Sequence, residues 1–210
     1  MEKFVAEFFN LKRGLNIDIS FRCPLECYAC DRQRGYRNKG FSVPGKDMTI
    51  EQFEKIIHCF HKISFAGNLS DPTGNKKLID FLKICYEHNK STHVMTAATH
   101  RPYDWYVKAF KVNPKARWTF GIDGLPEESC LYRINQDGEK LFNIMKTCRE
   151  MGLQTKWQYI IFKYNEDHIE QAKQLAKDID VVFELVYSGR FSSVTDPYRP
   201  TKDEITTRLY

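Results

Sequence analysis

The chain has 210 residues, of which 42% are hydrophobic and 28% charged, with a net charge of +5. That length suits one well-buried domain and is short for two, and the composition is ordinary for a globular protein. Apolar runs such as residues 159–162 are far too short to span a bilayer, and the N-terminal Met1 to Phe4 opens no signal-peptide stretch, so a cytoplasmic location without membrane contact is expected.

Leu15, Ile17 and Ile19 alternate with Asn16, Asp18 and Ser20, the period-two pattern of a strand. Residues 35–46 are polar and contain glycine, which predicts a loop. Thr49 with Gln52 three residues on forms a capping pattern before the helical spacing of Phe53, Ile56, Ile57 and Phe60. A short strand at 63–66 ends in Gly67, and a helix runs through Leu78, Phe81, Leu82 and Cys85. The alternation continues with strand 94–97 and helix 105–110, then strand 118–122 and helix 141–151, stopped by Gly152. Strand 157–162, helix 169–176 and a last strand at 181–186 complete it. Strands separated by helices favour a parallel sheet with right-handed crossovers. Six such units are too few for a closed eight-stranded barrel, so the expected fold is α/β, a partial (βα)6 TIM-like barrel. Residues 1–189 form its core, and 190–210, rich in Arg, Ser, Pro and Thr, form a peripheral tail.

Of seven cysteines, three are clustered as Cys23, Cys27 and Cys30, a C-x3-C-x2-C spacing directly after the first strand. Clustered cysteines in a reducing compartment point to metal ligation. Three thiolates on one loop can each take one iron of a cubane cluster, leaving the fourth iron open to a small molecule. A zinc site usually takes a fourth protein ligand, and neither flank offers a paired Cys or His. The same spacing fits one face of a buried helix, but Pro24 and the preceding strand argue for a loop. Cys59, Cys85 and Cys148 fall in helical patterns and read as core residues. Cys130, in the loop after the fourth strand, is a candidate hydrogen donor.

Residues 15–30, LNIDISFRCPLECYAC, resemble the first strand and cluster loop of the radical S-adenosylmethionine (SAM) superfamily. Ala29 stands where members usually carry an aromatic residue, near the adenine, with Tyr28 one place earlier. Residues 65–72, FAGNLSDP, stand at the family's Gly-Gly-Glu-Pro motif, which binds the SAM amino group; Gly67 and Asn68 fall in that loop and Asp71 replaces the Glu. Alone, these residues make an ordinary strand-to-helix turn. Thr96 opens the Thr-Asn-Gly position, and residues 121–124, GIDG, look like Ser-Ile-Asp-Gly, with Gly121 in place of the Ser near the ribose and Asp123 retained. Leu131-Tyr132-Arg133 is similar to a Tyr-Arg pair of peptide-modifying members, which implies that Arg133 pairs with the SAM carboxylate. Residues 159–166 resemble the fifth strand, whose end at Phe162 lies beside the adenine. The match runs from about residue 15 to 186 and resembles the core of SPASM-type members; no cysteine follows Cys148 to build an auxiliary-cluster domain.

The resemblance implies a [4Fe–4S] cluster, SAM bound at its open iron, and reductive cleavage to a 5′-deoxyadenosyl radical that abstracts hydrogen from a peptide or small-molecule substrate. It also implies an electron donor such as flavodoxin or ferredoxin. His100, Arg101, Lys163, Asn165, Tyr187 and Arg190, on loops after strands, are candidates to face the substrate. Two further readings are a glycyl-radical enzyme activase and a non-catalytic, metal-containing nucleic-acid-binding module. Basic residues are spread along the sequence without a stripe interleaved with aromatics, so nucleic acid is not expected.

Overall fold

Alternation along each strand decides which way the sheet faces. In the computed structural model, which describes residues 14–206, six strands form one sheet in the order of the chain. They are β1 Gly14–Ile17, β2 Lys62–Phe65, β3 Ser91–Thr96, β4 Arg117–Gly121, β5 Thr155–Ile160 and β6 Val182–Val186. All neighbours are parallel. The signal-peptide expectation at residues 1–4 lies outside the described residues.

Between the strands run α1 Asp31–Lys39, α2 Ile50–Ile57, α3 Leu78–Glu87, α4 Tyr103–Val112, α5 Gly138–Glu150 and α6 Ile169–Asp178, with the one-turn α7 Asp203–Thr206 in the tail. Because strand order never reverses, right-handed crossovers put successive helices on the same side. Ile63, Phe65, Val94, Trp118, Phe120, Trp157 and Tyr159 face those helices and are fully buried. Phe53, Phe65 and Phe81 meet there with ring centroids 4.8–6.3 Å apart, and Phe110 meets Trp118 edge-on at 4.9 Å. Each such side chain contributes about 1.5–3 kcal/mol by leaving water. The alternate residues, Asn16, Met95, Thr119 and Gln158, lie on the opposite, inner face, where they border a cavity. In this sheet β1 and β6 each have one partner, so the barrel is partial and open.

The predicted capping box is present: the Gln52 backbone N–H donates to Thr49 Oγ1 (3.3 Å), and the Thr49 N–H donates to Gln52 Oε1 (2.9 Å). The loop predicted at 35–46 needs correction, because α1 occupies residues 31–39 and the loop starts only at Gly40. Asp31 in the first turn and Arg37 and Lys39 in the last suit the helix dipole, and Gly40, at φ 61°, closes the end with N–H bonds to carbonyls of the last turn. Gln33 is the single buried residue of α1, so no apolar stripe announces the helix. Cys85 and Cys148 are core residues as expected, whereas Cys59, just past α2, is only half-buried. Among the described residues no helix is long and apolar enough to cross a membrane.

Candidate functional site

The segment after β1 is pinned from several sides before it reaches the cysteines. Ile19 O accepts from Asn75 Nδ2 (2.7 Å) and from the Met48 N–H (3.0 Å). Ser20 Oγ accepts from the Arg22 N–H (3.1 Å). Glu26 N–H donates to Ile134 O (3.0 Å), and Asn135 Nδ2 to Pro24 O (3.3 Å), tying the loop to the segment after β4. Cys30 N–H bonds back to Cys27 O (3.2 Å), and Cys30, in extended conformation, is the N-cap of α1. Cys23 and Cys27 therefore lie on a loop and not on a helix face.

All three thiols line one cavity of about 510 Å³ over the C-terminal ends of the strands, the end at which parallel α/β folds build their sites. Among the described residues, no three His, Cys, Asp or Glu side chains converge as a ready cage for a metal ion; the thiols share a wall of a larger space. Burial, then the Asp71 charge, pushes the Cys23 thiol up to about 12. Burial likewise raises Cys27, with Arg133 opposing. Three soft thiols facing a space of this size fit an iron–sulfur cluster, whose positive iron would convert them to thiolates.

Of the expected SAM contacts, Gly67, Asn68, Asp71, Thr96, Gly121, Arg133 and Phe162 line this cavity. A Cβ on Gly67 would fall 1.8 Å from Ser70 O, so the tight loop requires glycine. That loop is held by Asp18, which accepts from the Asn68 N–H (3.1 Å) and Ser70 Oγ (2.9 Å). Asp71 is committed to its neighbours: its carboxylate accepts from Thr73 N–H (3.0 Å), Thr96 Oγ1 (2.9 Å), Ala97 N–H (2.9 Å) and Ala98 N–H (3.1 Å), and also from the Thr73 hydroxyl. A carboxylate offers about four lone-pair sites, so these donors fill it. The structure thus places Asp71 and Thr96 together as a clasp on the loop after β3.

Arg133 crosses the end of β4. Its Nε lies 2.7 Å from Asp123 Oδ2, and the pair is nearly or wholly buried. Burial raises the Asp123 carboxyl, with Arg133 opposing. For Arg133 burial acts downward, but the charges of Asp123 and Cys27, with the Asp123 hydrogen bond, together outweigh it and keep the guanidinium charged. Asp123 Oδ1 also accepts from the Ile160 N–H (3.0 Å). Asp123 is thus behind the cavity wall, supporting the arginine that faces in. A Cβ on Gly121 would come 2.9 Å from Arg133 Nη2, so glycine here makes the arginine's path.

Ala29 is buried behind the wall, where its N–H donates to Tyr132 Oη (3.3 Å). Tyr132 stacks on Phe162 at 4.0 Å, and Tyr198 of the tail meets Tyr132 edge-on at 5.2 Å. Tyr187 and Arg190 line the cavity; His100 and Arg101 line a second one, and Asn165 is buried, accepting from the Phe162 N–H (2.7 Å). Lys163 is exposed, with its N–H donating to Tyr198 O (3.0 Å). Cys130 is exposed and is not among the lining residues; its Sγ contacts Glu127 O at 3.5 Å. Gln136 went unanticipated: its Nε2 donates to Ala97 O (2.6 Å) and Gly121 O (2.9 Å), clamping the ends of β3 and β4. The alternation of β1, β3, β4 and β5 would have found Asn16, Met95, Thr119 and Gln158, but nothing in the sequence marks Gln136.

The fold is that of the radical SAM enzymes, an α/β sheet of six parallel strands curved into a partial barrel. Streptococcus suis SuiB matches with a TM-score of 0.65 and 16% identity over 96% of this chain and 46% of that one. The AdoMet-bound, histidine-tagged anSMEcpe matches at 0.66 and 15% identity, covering 89% and 53%, and methylornithine synthase (PylB) at 0.56 and 13%, covering 96% and 62%. In sequence the chain is 22% identical, over 187 residues, to the PqqA peptide cyclase of Bradyrhizobium diazoefficiens, covering 85% of this chain and 47% of that protein. The chain thus spans about half the length of the curated relative it matches. No family model matches the chain.

Proposed function

We propose that this chain is the core of a radical SAM enzyme acting on a peptide. The observation that carries the reading is the placement of Cys23, Cys27 and Cys30 on one wall of the cavity at the C-terminal strand ends. Cys23, Cys27 and Cys30 would hold a [4Fe–4S] cluster there, which with bound SAM would supply reductive sulfonium cleavage and, from it, radical hydrogen abstraction from the substrate.

The protein's own part is binding, orientation and exclusion of water. The three cysteines hold the cluster. Arg133, backed by Asp123, presents a charged guanidinium suited to a carboxylate. The loop at 67–70, held by Asp18, offers backbone carbonyls to the SAM amino group. Asp71 fixes the loop after β3 and acts as a positioning residue. Phe162, stacked on Tyr132 with Ala29 behind it, forms an apolar face for the adenine. The division of the chain into a core, 1–189, and a tail, 190–210, is part of this proposal, and the described part of that tail, 190–206, braces the core. Support for that brace is the bond from the Thr201 N–H to Glu166 Oε2 (2.8 Å). We place the protein in the cytoplasm, in keeping with cysteines that are all free among the described residues.

A peptide substrate is supported by the relatives: one is named a peptide cyclase, SuiB is also known with its precursor peptide SuiA, and anSMEcpe with the Cp18Cys peptide. Anaerobic reconstitution with iron and sulfide, followed by EPR of the reduced protein, tests the core of the reading. A [4Fe–4S] signal that changes when SAM is added is the expected result. A protein that forms no cluster, or whose signal ignores SAM, overturns the enzyme assignment and returns the cysteines to a metal-containing binding module.

A further inference from the structure

A second cavity, of about 620 Å³, adjoins the cysteine loop, and Cys23 and Arg32 line both cavities. Its walls come from the cysteine loop, α1, the loop that follows, and the turns after β2 and β3. Phe21, Tyr36 and Phe41 contribute aromatic surface, and each is exposed, Tyr36 by 59% and Phe41 by 51%. Arg22, Arg32, Lys76 and Arg101 stand around them. The surrounding residues 21–46 hold six cations against two carboxylates, Glu26 and Asp31, and so carry most of the chain's net charge of +5. Folding adds Lys76 and Arg101 to this basic segment. Two carboxylates temper the field: Asp47 pairs with Arg22, and Asp31 lies 3.9 Å from Arg34. Lys76 lines the groove, and the exposed Lys39 ends α1, the helix that contributes Arg32 and Tyr36 to its wall.

Exposed aromatic rings within a basic rim match the composition of interfaces, where Tyr, Phe and Arg are enriched. The groove's position supplies the occupant. If the cysteines hold a cluster as proposed above, its electron must come from outside, and Cys23, which lines both this groove and the site cavity, joins the two.

We propose that this groove is the docking site of an acidic one-electron carrier protein, which delivers its electron past Cys23 into the cluster. The inference rests on the radical SAM reading. With a flavodoxin as carrier, one electron leaves the anionic flavin hydroquinone, which becomes the neutral semiquinone without moving a proton, and the oxidised cluster is reduced by that one electron. A small contact suffices: electron-transfer encounters bury less than about 1,200 Å² and rely on charge steering.

The test uses the reconstituted holoprotein, flavodoxin as the probe, and the double variant Lys39→Glu/Lys76→Glu, whose residues touch no part of the proposed catalytic machinery. Calorimetric titration with oxidised flavodoxin reads docking itself, and stopped-flow bleaching of the cluster by flavodoxin hydroquinone reads delivery. The expected results are binding that weakens with salt, and a bimolecular rate at low salt that falls about tenfold or more in the variant. Reduction by dithionite, a small molecule that needs no docking, stays unchanged. A variant that binds and accepts electrons from flavodoxin like the parent overturns the proposal. So does a short single-stranded RNA that binds more tightly than flavodoxin at the same salt and loses its grip in the variant. Loss of dithionite reduction in the parent protein marks failure of the cluster reading instead, and absence of flavodoxin binding by calorimetry then overturns the groove as well.

Discussion

At the scale of single residues, the site depends on groups that hold other groups. Arg133 can reach across the end of β4 because position 121 has no side chain. The Gly121→Ala methyl would sit 2.9 Å from Nη2 of an arginine already fixed by Asp123, so the guanidinium must shift. A charge-assisted hydrogen bond contributes about 1.5–3 kcal/mol, and its loss predicts SAM binding weakened about 10- to 100-fold with normal cluster content, measured by equilibrium dialysis of the reconstituted protein. Asp71 gives a contrasting case. Asp71→Asn would turn an amide N–H₂ toward the Ala97 and Ala98 N–H groups, which now donate to Oδ2 at 2.9 and 3.1 Å. The expected outcome is a stability loss of about 3 kcal/mol in urea denaturation. SAM affinity of the folded fraction should change less than in Gly121→Ala. A reversed ranking would make Asp71 a direct ligand, as the family resemblance implied. The sequence identified both residues but could not distinguish these roles, because the Asp71 partners lie up to 27 positions away.

Among the elements, those with an apolar face were legible and the polar one was not. Strands β2, β3 and β5 alternate buried residues with others, β4 alternates large apolar residues at Trp118 and Phe120, and α2 to α6 present apolar residues at helical spacing, so periodicity alone located them to within a few positions. Helix α1 has polar residues on every side and a glycine within it, and its end signals, Asp31 and Gly40, were outweighed by composition. Position 35 should therefore be improvable. Gly35→Ala places a Cβ 3.3 Å from the Phe41 ring, and that ring is exposed and free to yield. Glycine in a helix interior costs about 0.5–1 kcal/mol relative to alanine, so the variant is expected to raise the urea midpoint correspondingly. A lowered midpoint would mean that the Phe41 contact cannot relax.

For the whole molecule, the cysteine spacing located one wall of the site and the strand alternation located its floor. The brace contributed by Tyr198 and Thr201, and the clamp by Gln136, were hidden because each joins segments far apart in sequence with no periodic signature. The open sheet also has a second end. There His93, on the inner face of β3, is paired in register with Arg117 and is half-buried. Burial, then Arg117, Lys62 and Lys156, move its pKa from the ordinary 6.5 to about 4, with Glu184 opposing. Its Nε2 lies 2.8 Å from Thr119 Oγ1. Below about pH 6.5 the unfolded chain takes up a proton at this histidine that the folded protein refuses, so stability falls as pH drops from 6.5 toward 4. Above that window the group is neutral in both states and contributes no slope. His93→Gln keeps a hydrogen-bonding side chain opposite Thr119 and removes the titration. Urea midpoints at pH 7 and pH 5 should therefore differ less in the variant than in the parent. An equal difference would assign the acid sensitivity to other groups and leave His93 free to protonate in the folded protein.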